Sequence, residues 1–125
     1  TLMIRNLPTE LTQAELLATM NSAGLAGSYD FCYVPRCFES RENKGYAFVN
    51  FVTPDGARRF ALAWHRSIVF GAEHPLNVSA AAVQGLAENR ERWETTSRMR
   101  RIRNPDFQPF VAGLRNSTAC AQRRA

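Results

Sequence analysis

Eight consecutive residues constrain this chain more than any others: Lys44-Gly45-Tyr46-Ala47-Phe48-Val49-Asn50-Phe51. A strand alternates its side chains between two faces, so Ala47, Val49 and Phe51 point one way while Lys44, Tyr46, Phe48 and Asn50 point the other. The first set fits beneath a layer of helices. The second places two aromatic rings and a cation on the opposite face. How open that face is depends on how many helices the rest of the chain supplies.

The flanking segments supply two core helices. Leu2 to Leu7 is a short apolar run closed by Pro8, which cannot continue a central strand. Thr12-Gln13-Ala14-Glu15 has capping-box spacing, with Leu11 and Leu16 at hydrophobic-staple positions. Leu16, Leu17 and Met20 form an apolar stripe that Gly24 ends. Tyr29 to Val34 is a second strand, ended by Pro35 and followed by the polar loop 36–43. After the octamer, Thr53-Pro54 reads as a cap with proline in the first helical position, and Ala57, Phe60, Ala61 and Trp64 share one helical face. Leu76, Val78 and Ala80 alternate with Asn77 and Ser79, as in a half-buried strand. The order βαββαβ predicts an α+β, ferredoxin-like split βαβ sandwich: a four-stranded antiparallel sheet with helices near 12–22 and 54–65 on one face. Ile4, Leu16, Met20, Ala47, Val49, Phe51, Phe60 and Val78 are its expected core. Because two helices cover only one face, Tyr46 and Phe48 are expected on the open one, where unpaired bases can stack. Met3 and Arg5 join them there, with Leu2 and Ile4 buried.

Residues 1–84 hold seven basic and seven acidic residues, whereas 85–125 hold nine arginines against four acidic residues and so carry the whole net charge of +5. Arginine's planar fork suits phosphates and stacked bases. Arg92, Arg98, Arg100, Arg101 and Arg103 are candidate phosphate contacts. A third helical pattern runs from Leu86 to about residue 102, with Glu88→Arg92 and Glu94→Arg98 at favourable spacing, and Asn104-Pro105 ends it. The expected division is a domain over 1–84, a basic helical extension packing on it over 85–112, and a flexible tail over 113–125. Asp106 to Val111 is apolar enough to fold back.

No apolar run approaches the roughly 18 residues of a membrane span. The chain opens on Thr1 immediately before a strand, and is expected to be part of a longer protein. Cys32, Cys37 and Cys120 are an odd number without a C-x-x-C pair, so thiols in a reducing compartment, nucleus or cytoplasm, are expected rather than a metal site or disulfide. Neither a Ser/His/Asp set nor paired carboxylates is evident. Acylphosphatases share the topology and use an arginine near an asparagine, but Arg5 and Asn6 lie within the first strand and not in a glycine-rich loop after it. No enzyme activity, cofactor, metal or small-molecule substrate is expected.

The octamer fits the pattern basic-Gly-aromatic-Gly/Ala-Phe-Val-x-aromatic at every constrained position. With Leu2 to Leu7 about forty residues upstream, it resembles the paired signatures of the RNA-recognition-motif (RRM) superfamily. Four segments carry a narrower resemblance: Thr1 to Pro8, Tyr29-Asp30-Phe31, Gly45 to Asn50, and Val83-Gln84-Gly85. Together they are similar to the C-terminal RRM of the Mei-two-like meiosis regulators. Met3 replaces the aromatic of most RRMs and agrees with the narrower family. The resemblance implies single-stranded RNA as partner, with Met3, Arg5, Lys44, Tyr46, Phe48 and Asn50 in the binding face. It also implies a role in meiosis or differentiation, in the nucleus or shuttling from it, and a Pro-containing apolar patch, here Pro109-Phe110, that closes the domain. The rival reading is an RRM that binds protein through its sheet or C-terminal helix, with Trp93 docking that helix across Tyr46 and Phe48.

Overall fold

The computed structural model describes residues 1–37, 39–71, 74–96, 99 and 101–113. Strand β1 (Leu2–Arg5) leads to helix α1 (Gln13–Met20), strands β2 (Tyr29–Tyr33) and β3 (Tyr46–Phe51), helix α2 (Pro54–Trp64) and strand β4 (Asn77–Ala80). Both helices start where the cap chemistry places them. The Thr12 hydroxyl accepts from the Glu15 amide while the Glu15 carboxylate accepts from the Thr12 amide, completing a capping box. Thr53 caps α2 through the Gly56 amide, with Pro54 in the first turn. After Met20 the chain widens into a π-type turn, Asn21–Leu25, in which Gly24 takes a positive φ of 87° that ends the helical run.

All pairings are antiparallel, and with a further strand β5 (Phe110–Val111) the sheet order is β4-β1-β3-β2-β5. All eight expected core residues are buried. They lie in a cluster between the sheet and the pair α1 and α2, where Phe51, Phe60 and Trp64 form a run of rings with centroids 5.0 and 4.7 Å apart. Burial of this apolar surface is the main stabilising term.

The fifth strand, β5 (Phe110–Val111), corrects the expected count of four. It pairs with Cys32 and Phe31 and covers β2, which would otherwise be an edge with unpaired amides and carbonyls. A register shift between Tyr29 and Phe31 turns these two residues to opposite faces. Tyr29 joins the helix-side core, 5.8 Å from the Phe110 ring, and Phe31 joins a second cluster on the other face.

The third helix is also corrected. Helix α3 spans Leu86–Glu94 and is broken at Thr95 and Thr96, inside the expected 86–102; Met99 is helical again, and 97, 98 and 100 lie outside the described residues. The Thr95 and Thr96 hydroxyls bond locally to the Glu91 carbonyl and the Met99 amide, and such bonds compete with helix continuation. Asn104-Pro105 opens a short 3-10 turn over Pro105–Phe107, capped by the Asn104 side chain, where the sequence suggested a helix end. Of the expected ion pairs, Glu88→Arg92 is replaced by Arg90–Glu94 at 3.2 Å, and Glu94→Arg98 lies outside the described residues.

Candidate functional site

Cross-strand register assembles the face opposite α1 and α2. Arg5 sits between Tyr46 on β3 and Asn77 on β4, and Met3 between Phe48 and Ser79. Tyr33 lies beside Phe48 and Phe31 beside Asn50. The octamer's glycine starts this arrangement. Gly45 has φ 91°, a conformation that side-chain-bearing residues rarely adopt, and its amide is held by the Asn43 carbonyl oxygen Oδ1 at 2.6 Å. Asn43 also donates to the Pro8 and Leu11 carbonyls, tying the loop before β3 to the turn after β1. Lys44 is exposed at this junction, and Tyr46 and Phe48 follow with ring centroids 5.6 Å apart, edge to face.

Half of this face is closed. The second cluster comprises Phe31, Tyr33, Met99 and Val111, with Phe48, Leu86, Trp93 and Ile102 packed around it. Trp93 on α3 lies 5.1 Å from both the Tyr33 and Phe48 rings. Tyr46 and Phe48 both lie on the face opposite α1 and α2, as expected, but that face is not open over Phe48, where Trp93 docks as the rival reading had it. Both are half-buried, but Phe48 is stacked beneath Trp93, whereas Tyr46 belongs to neither cluster and lines an open cleft. The physical reason is the C-terminal segment, whose described residues Leu86, Trp93, Met99, Ile102 and Val111 pack over the β2 side of the sheet.

A partly buried polar chain holds that cover down. The Thr1 hydroxyl donates to Asn50 Oδ1 at 2.7 Å and accepts from Asn89 Nδ2 and the Gly85 amide. Asn50 Nδ2 donates onward to Asp30 at 2.8 Å, and Asn89, fully buried at 0% exposure, also donates to the Gly85 carbonyl. Asn50, expected among the base-contacting residues, is thus 6% exposed and spent on the junction between sheet and α3. A short polar residue on the strand's outer face reads the same in either role from sequence. Only the partner brought over it distinguishes them.

Of the remaining candidates, Arg5 is exposed and Met3 half-buried on the open side. Arg92 lies over the Trp93 ring, 4.5 Å from its centroid, and Arg101 and Arg103 are exposed. Arg98 and Arg100 lie outside the described residues. Sequence reasoning missed Phe70 and His74, which line the cleft beside Tyr46. Their only signal is an apolar-then-polar loop between α2 and β4, which by itself marks no site.

The two described cysteines are free thiols. Burial pushes Cys32 up to about 12, while hydrogen bonds from the Ser40 amide and hydroxyl hold Cys37 below the ordinary thiol range. Among the described residues no cluster of three His, Cys, Asp or Glu could hold a metal ion.

A family model for RNA recognition motif 2 matches residues 1–93, ending on Trp93 within α3. Protein MEI2-like 3 of Arabidopsis thaliana is 33% identical over 117 residues, covering 89% of this chain and 14% of that protein. Meiosis protein mei2 of Schizosaccharomyces pombe is 32% identical, covering 89% of this chain and 15% of its own length. The chain therefore spans about a seventh of these curated relatives. Among solved structures, a Sxl-lethal protein/RNA complex superposes with a TM-score of 0.55 at 27% identity, over 67% of this chain and 47% of that one.

Proposed function

The chain belongs to the RNA recognition motif 2 family, and from that premise we propose that it is a single-stranded RNA-binding module whose working surface is the half of the sheet that α3 leaves open. Tyr46 is the stacking platform. Arg5, its cross-strand partner, and Lys44, two residues before it, hold phosphates or base edges beside it. Met3 extends the surface as a soft apolar contact. The observation that carries this reading is that Tyr46 stands outside both apolar clusters, on a cleft that also presents Arg5 and Lys44. A half-buried ring on a cleft shared with two cations suits an unpaired base and its phosphate.

The names of its relatives point to meiosis as the process it serves, and we assign it a post-transcriptional role in meiosis or differentiation. A reducing compartment, nucleus or cytoplasm, fits free thiols at Cys32 and Cys37. Its role is binding without catalysis. Asn6, beside Arg5 at the end of β1, donates to the Pro75 carbonyl at 2.9 Å and serves to join two loops. Protein contacts through α3 are secondary, because Trp93 leaves Tyr46 uncovered.

Titrating a labelled random-sequence single-stranded RNA by fluorescence anisotropy tests the reading. Tyr46→Ala is expected to weaken binding about 5-fold to 150-fold, as loss of one stacked base does, with the fold intact. Full affinity in that well-folded variant would overturn it.

A further inference from the structure

An RNA strand crossing Tyr46 can run over Met3 toward β4 or leave the sheet at its end. Toward Phe48 it meets Trp93, fixed over that ring at 5.1 Å by a helix whose first turn is locked through Asn89 and Thr1. On the β2 side the Lys44 amide is bonded to the Pro35 carbonyl at 3.0 Å, which extends the pairing of the sheet past β2. At the end of the sheet the surface instead drops into a cleft of about 910 Å3 between the turn after β1 and the loop before β4. Its walls include Arg5, Asn6, Lys44, Tyr46, Phe70 and His74. Asn6 and His74 are shared with a smaller depression of about 450 Å3 that also presents Arg66 and Asn77. A single groove thus leads from Tyr46 around the end of β1 toward β4.

We propose that this cleft is a second nucleotide subsite, taking the base next to the one stacked on Tyr46. The proposal rests on the RNA-binding reading and adds the path of the strand. The cleft has the bulk of a small-ligand site, which spans about 300–1,000 Å3. Phe70 offers the flat surface a base requires. Its ring is half-buried and braced edge-on by Trp64 at 5.8 Å, so it is held in place without being enclosed. Arg5 and Lys44 supply positive charge for the intervening phosphate, and exposed Arg66 continues it along the groove. Among the described lining residues Glu10 is the one acidic side chain, and it offers an acceptor to the amino edge of a base. Asn6 has φ 69° and keeps its amide nitrogen on the Pro75 carbonyl, which joins the two loops that form the cleft walls. Charge and continuity with Tyr46 favour a nucleotide over a peptide segment.

The test is photocrosslinking of the full chain to a random-sequence single-stranded RNA octamer carrying 4-thiouridine in place of uridine, mapped by tryptic mass spectrometry. Tyr46 falls in the peptide 45–58 and both Phe70 and His74 in the peptide 67–90, so the two subsites are read separately. Crosslinks are expected in both. Phe70→Leu keeps apolar packing against Trp64 but removes the ring face. It should weaken RNA binding about fivefold or more, with an unchanged thermal midpoint and the Tyr46 crosslink retained. Crosslinks at Tyr46 with none at Phe70 or His74, and full affinity in Phe70→Leu, would overturn the subsite and leave RNA binding standing. Absence of binding and of crosslinks at Tyr46 as well would overturn both.

Discussion

Two rings two residues apart on β3 carry different duties. Phe48 contributes packing as well as any base contact, because Trp93 lies against it. Truncating it should cost about 1–3 kcal/mol, part of what a fully buried phenylalanine loses, and lower the thermal midpoint by several degrees. Phe48→Ala is therefore expected to be the less stable variant and Tyr46→Ala the more RNA-deficient one; thermal melts beside anisotropy titrations check the split. The cysteines divide similarly. Cys32 stays a neutral thiol in the fold up to about pH 12, whereas the unfolded chain ionises it near its ordinary value of 9. Between these values the unfolded state binds fewer protons, so stability falls as pH rises. Cys32→Ala should reduce that alkaline loss in urea titrations at pH 8 and 10. Cys37, held low by Ser40, should alkylate with iodoacetamide at a pH where Cys32 is inert, as peptide mapping will show.

At the scale of elements, α3 decides how much of the sheet RNA can reach. Its entry depends on Gly85, whose φ of 94° and ψ of 155° belong to a region that side-chain-bearing residues essentially do not enter. No atom lies within 4 Å of a Cβ placed there, so the cost of a substitution is conformational and not steric crowding. Gly85→Ala should lose about 1–3 kcal/mol, paid mainly by undocking α3. Trp93 would then move toward water, and its emission should shift to the red, while the core under α1 and α2 melts as before. An unchanged spectrum in a stable variant would show that another residue sets the entry angle. The Val83-Gln84-Gly85 tripeptide marks this place in the sequence, and Gln84 also donates to the Thr1 and Ala81 carbonyls.

For the whole molecule, the net charge of +5 sits in residues 85–125, so long-range attraction for a polyanion should come from the C-terminal side. Arg92, Arg101 and Arg103 are exposed there. Single-stranded nucleic acid gives a slope of about −0.7 in log K against log salt per phosphate neutralised. Replacing these three arginines with glutamine should flatten the slope by up to about 2 and leave base preference intact. An unchanged slope would place them off the RNA path. Period-two alternation, cap residues and the octamer were sufficient for the βαββαβ order, the helix-side core and the placement of Tyr46, because each depends on near neighbours in the chain. The length of α3, the pairing of β5 with β2, the use of Asn50 as a tether and the cleft at Phe70 and His74 were not legible there. Each depends on which distant segment arrives over the sheet. Trp93 covers Phe48 from 45 residues away, and Thr1 binds Asn89 across a separation of 88. A local pattern therefore determined which residues face outward, and only tertiary packing decided which of those remained free to meet RNA.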